Sequence, residues 1–216
     1  MRHTNKYILM LLCGLLAAAL MIPAMAEAAR EPMTVAPMDV EVDPADPGDG
    51  DYPAAFEPDS IVTTDDGIEL RDVTLYTQDW YDIVDIHMLA PGDTLIVEGE
   101  AVPVESVERD ERGVVVNGGF DAGGYDFYSI EDTNGFTIRM DDDYATYTDH
   151  GEATLKLSPD ATFTDGWDIT KAPVTVEYAD IPAAIANSEN PTFTNTNTTI
   201  VVENGQIVSI ERIFNP

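Results

Sequence analysis

The chain has 216 residues, with 41 acidic side chains against 10 basic ones and a formal net charge of −31. Hydrophobic residues make up 44%, enough to pack a core, so wholesale disorder is excluded. A chain this negative repels phosphate backbones and anionic lipid surfaces, which sets aside nucleic acid and acidic membranes as partners.

Arg2 and Lys6 give the chain a positive start, Tyr7 to Ile22 is an apolar run, and Ala24-Met25-Ala26 follows the small-x-small pattern. In that order the three features read as a secretory signal peptide over residues 1–26. The apolar run is shorter than the roughly 20 residues a spanning helix needs. The one cysteine, Cys13, lies in this segment after Leu12, where a lipid anchor would want a small residue. Cleavage after Ala26 leaves a cysteine-free chain of 41 acids and 8 bases, charge −33. Such a chain has no disulfide, thiol nucleophile or cysteine metal site, a pattern that suits a bacterial or archaeal export. The expected location is extracellular, released and not anchored.

Residues 27–60 hold six of the fourteen prolines, ten acids and one base, Arg30. Proline removes backbone donors and like charges repel, so the expectation is an acidic, Pro-rich, disordered linker. From Ile61 the pattern changes to short apolar runs with turns between them. Val73–Thr77, Thr94–Glu98, Val114–Val116, Tyr125–Ile130, Phe136–Met140, Ala153–Leu157 and Val174–Tyr178 read as strands. Ala90-Pro91-Gly92-Asp93 and Asp110-Glu111-Arg112-Gly113 read as turns, and Pro103 marks an edge or a bulge. Short helices fit near Ile83–Leu89 and Ile181–Asn187. The clearest local signal is Thr199–Glu203, Asn204-Gly205, Gln206–Ile210, since Asn-Gly supplies the positive φ of a two-residue hairpin turn. The predicted fold is an all-β domain over residues 61–216, an antiparallel β-sandwich or a small β-barrel.

Catalytic motifs are missing. After cleavage the histidines are His87 and His150, with no Gly-x-Ser-x-Gly nucleophile elbow and no His-x-x-x-His pair. No catalytic residue is assigned and no cofactor is required. A small carboxylate-dependent hydrolase remains an alternative, because two acids at the right spacing suffice for glycoside chemistry.

Calcium is the better-motivated ion, since carboxylate oxygens suit hard cations. Asp141, Asp142, Asp143, Asp149 and Glu152 form the densest candidate set. They do not make an EF-hand, because Thr146 stands where the twelve-residue loop needs glycine. Gly118–Asp126 reads as a flexible glycine turn between strands. Thr192, Thr194, Thr196 and Thr198 alternate as the wet face of a strand running into Ile200.

Aromatic density gives the leading functional expectation. Seven aromatics fall between Phe120 and Tyr147, and Trp80 and Trp167 add to them. Aromatic faces stack on the apolar faces of sugars while nearby carboxylates bind hydroxyls. The candidate ligand residues are Trp80, Tyr125, Tyr128, Tyr144, Tyr147 and Trp167. The expectation is an exported, non-catalytic binding or surface-interaction module for an extracellular glycan or cell-surface polymer. A calcium-stabilised structural or adhesive domain is the alternative.

Overall fold

The computed structural model describes residues 30–38, 40–110, 113–130, 135–139 and 145–215. The predicted signal peptide lies outside them. From Met33 onward the chain forms one compact unit. Its strands are β1 (Thr34–Val35), β2 (Gly50–Ala55), β3 (Ile61–Thr64) and β4 (Gly67–Gln78), then β5 (Tyr81–Asp82) leading into helix α1 (Ile83–Met88). Next come β6 (Thr94–Val97), β7 (Glu100–Pro103), β8 (Val107–Arg109), β9 (Gly113–Val116), β10 (Tyr125–Ser129) and β11 (Gly135–Arg139). The chain ends with β12 (Tyr147–Gly166), β13 (Val174–Glu177), helix α2 (Ile181–Ala186), β14 (Thr198–Glu203) and β15 (Gln206–Ile213). The protein is mostly β, as the strand periodicity predicts.

The largest sheet has the order β13-β12-β15-β14-β2-β4-β3, and β12 also pairs directly with β4. Strands β12, β15, β14, β2 and β4 therefore return to their starting point and leave no free edge among them. The long β12 makes this possible. Its first half runs antiparallel to β4 from Tyr147↔Gln78, and its second half runs parallel to β15 up to Gly166↔Ile213. The register shifts between Leu157 and Thr162, across Pro159, which has no N–H for the ladder. Leu70, Leu75, Phe163, Ile200 and Ile210 fill the interior, and Ile181 and Ile185 of α2 pack against it. Each such side chain contributes about 1.5–3 kcal/mol through burial.

The described residues between 79 and 146 leave this sheet between β4 and β12 and build a second core. Two smaller sheets surround it, β1-β6-β7 and β5-β11-β10-β9-β8. Tyr81, Leu89, Leu95, Phe127 and Ile138 are buried there with Val35. Tyr81 meets Phe127 edge to face at 5.1 Å. Asp82 caps α1 by accepting from the N–H groups of Val84 and Asp85 at 2.7 and 3.4 Å.

Several expectations are met locally. Both short helices form where predicted, and Pro103 lies on the edge strand β7. The Asn204-Gly205 turn has φ of 51° and 73° and joins β14 to β15. Gly118, Gly119 and Gly123 carry positive φ in the turn before β10, and a Cβ on Gly124 would fall 2.1 Å from the Val116 carbonyl oxygen.

Two expectations are corrected. The described part of residues 27–60 is no spacer: β1 pairs in parallel with β6, and β2 sits between β14 and β4. Val35, Tyr52, Ala54 and Phe56 are buried, and that apolar spacing outweighs the prolines around it. The tyrosine hydroxyl of Tyr52 donates to the Pro47 carbonyl and ties the acidic stretch down. Nor do the alternating threonines form one strand. Asn197 accepts from the Thr194 N–H at 2.9 Å and donates to the Thr192 carbonyl at 3.1 Å, so a turn replaces the ladder until Thr198.

Candidate functional site

The chain crosses between the two cores at Asp79 and Thr146, where the Asp79 N–H donates to the Thr146 carbonyl at 2.9 Å. The segment before β2 also passes here, held by the Met38 N–H donating to the Trp80 carbonyl at 2.6 Å. Beside this seam lie two hollows of about 490 and 590 Å³. Both are lined by Met38, Val40, Thr77 and Gln78, so they join into one groove.

One arm of the groove is mainly apolar, with Trp80 and Pro53 beside Met38 and Val40, and with Asp51 and Thr199 as polar groups. Met38 and Val40, at 45% and 50% exposed, are neighbouring apolar side chains on the groove's surface. The other arm is polar: Asp79, Glu98, Tyr147, Thr148, Asp149 and His150 line it. Burial pushes the Tyr147 hydroxyl pKa up. His150 Nε2 and Thr77 Oγ1 share a hydrogen bond of 2.8 Å.

Asp79 is the unusual residue. It is only 2% exposed. Thr148 Oγ1 donates to its Oδ1 at 2.6 Å, while its Oδ2 and the nearby Thr146 Oγ1 are buried with no hydrogen-bond partner. A buried acceptor without a donor costs about 1–3 kcal/mol, and more when it is charged. Asp79 acts on its surroundings: the Tyr81 hydroxyl pKa is raised, first by burial and then by the negative charge of Asp79. Tyr81 donates to the Ile96 carbonyl at 3.0 Å.

The residues singled out from sequence do not converge on one surface. Trp80, Tyr147 and Asp149 come together in the seam groove. Tyr125 is half-buried against the second core, and Tyr128 lies under the Arg139 guanidinium at 5.5 Å. Trp167 packs on Phe214 at 5.4 Å and under the Arg212 guanidinium at 5.2 Å. Glu152 lines a different hollow, with Glu57, Asp59 and Asp72. Tyr144, Asp141, Asp142 and Asp143 lie outside the described residues. Among the described residues no three carboxylate or imidazole groups are placed to hold a metal ion, and no helix is long and apolar enough to cross a membrane.

Met38, Val40, Asp51, Asp79 and Glu98 were not legible as site residues. Asp79 alone left a trace: it continues the inward parity of Val73 and Leu75 along β4. A carboxylate at an inward position signals either an ion pair or a site.

No family model, curated protein or solved structure matches this chain.

Proposed function

We propose that the protein is an exported, non-catalytic binding module that holds an extracellular glycan in the seam groove. The closed ring of strands reads as a small β-barrel and the second core as a small sandwich, with the groove at their junction. One observation carries the reading: an apolar wall of exposed Met38 and Val40 and half-buried Trp80 and Pro53 adjoins a row of hydrogen-bonding side chains. Sugars present the matching chemistry, apolar C–H faces edged by hydroxyls. The calcium alternative has less support, because Asp149 and Glu152 line separate hollows.

The test is a glycan panel against the secreted protein, with Trp80→Ala beside it. Binding is expected, and Trp80→Ala should weaken it more than about tenfold, as truncating a central aromatic anchor does. Absence of binding across the panel, or binding indifferent to Trp80, rejects the reading. Release of reducing ends in the same assay would favour the hydrolase alternative.

A further inference from the structure

The lining of the groove is lopsided in charge. Asp51, Asp79, Glu98 and Asp149 contribute to it, and among the described residues neither lysine nor arginine does. Its basic group, His150, has Nε2 engaged with Thr77. Surface acids alone would be unremarkable in a chain of net charge −31. Asp79 is different, because its Oδ2 is buried in the groove wall without a donor. Sealed from solvent, it acts on a ligand through its field, and that field is weakly screened in a low-dielectric wall. A neutral hydroxyl would leave this charge uncompensated, and a carboxylated or sulfated sugar would be repelled. A protonated amine is attracted by the acids and also by the Trp80 and Tyr147 rings.

We propose that the groove's ligand is a glycan bearing protonated amines, a polymer of amino sugars that are not N-acetylated. This rests on the glycan reading above and narrows it. Overall negative charge would speed the encounter, and the groove would supply the selection.

Calorimetric titration of the full secreted chain tests it, in mildly acidic buffer at about physiological ionic strength. Three probes are compared: a glucosamine hexamer, an N-acetylglucosamine hexamer and a hexalysine peptide. The glucosamine hexamer should bind at least about tenfold more tightly than either of the others. Glu98→Gln and Asp149→Asn should each weaken it several-fold. Glu57→Gln and Asp59→Asn, in the other hollow, should leave it unchanged and so control for net charge. Equal binding of the two glycans overturns the amine inference and leaves the glycan reading standing. Hexalysine binding as tightly as the amino sugar overturns the inference in favour of simple cation capture. Failure of both glycans to bind overturns both proposals.

Discussion

A buried charge from a neighbouring segment meets strand β12 near each end, Arg212 of β15 at Asp165, and Asp79, just after β4, at Thr148; the two are treated in opposite ways. At its C-terminal end Arg212, whose side chain is 0% exposed, meets Asp165 through two hydrogen bonds of 3.0 and 2.7 Å. Two further donors reach the carbonyls of Asn190 and Glu189 at 3.0 and 3.1 Å, and its guanidinium lies 4.8 Å from the Phe193 ring. At the N-terminal end Asp79 has one donor, Thr148, and an empty second oxygen. A charge with a partner on each of its three nitrogens holds elements together, here β12, β15 and the loop before β14. A charge left half-satisfied in a groove wall costs stability, which is explicable if a ligand answers it.

The strongest way to break the comparison is at the clasp. Asp165→Ala leaves the Arg212 charge buried and unpaired, and should cost about 3–5 kcal/mol. At about 2–4 °C per kcal/mol for a protein this size, the melting temperature should fall by on the order of 10 °C. A fall of only a degree or two would show that the clasp does not hold the sheet. Next in size is Trp80→Ala, an affinity loss of about 2 kcal/mol, measured by titration against the glycan proposed as ligand. Trp167→Ala should instead lower the melting temperature and leave affinity alone, since that ring serves the clasp.

Asp79→Asn sharpens the contrast. Asparagine keeps an oxygen for Thr148 and removes the buried charge, so stability should be unchanged or up to about 1 kcal/mol higher in a denaturant melt. A loss comparable to that at Asp165 would make Asp79 a structural residue. The smallest effect concerns Asp168, whose carboxyl is held down to about 2 by hydrogen bonds from Lys171 and Thr170. Because its folded pKa is depressed, its contribution is present above about pH 4 and is lost as pH falls toward about 2. The pair lies at the surface, with Lys171 67% and Asp168 29% exposed. Lys171→Ala should therefore lower stability slightly above about pH 4, by little because water screens a surface pair, and leave it unchanged below about pH 2 in a pH melt.

Local features were legible in the sequence because local chemistry decides them. Asn204-Gly205 forces a hairpin, Pro103 forces an edge, and the apolar runs alternate as strands do. The closed ring was not legible, because it depends on β12 pairing with both β4 and β15, partners separated from it by dozens of residues. The acidic stretch misled through its prolines: Val35, Tyr52 and Ala54 are few, but each is fully used. The site was half visible. Trp80 and Tyr147 stand out by type, whereas Met38 and Val40 acquire meaning only when the chain passes Trp80 in space. Arg212 shares the inward parity of Ile210, yet parity alone does not name its partner across the sheet, Asp165.

The chain has two tryptophans, one in the groove and one at the clasp, so two indole N–H signals in a nitrogen–proton NMR spectrum report on both regions at once. Titrating in the glucosamine hexamer should move the Trp80 signal and leave the Trp167 signal in place, each assigned by its Trp→Phe variant. Movement of the Trp167 signal alone, or of neither, would contradict the assignment of ligand binding to the seam.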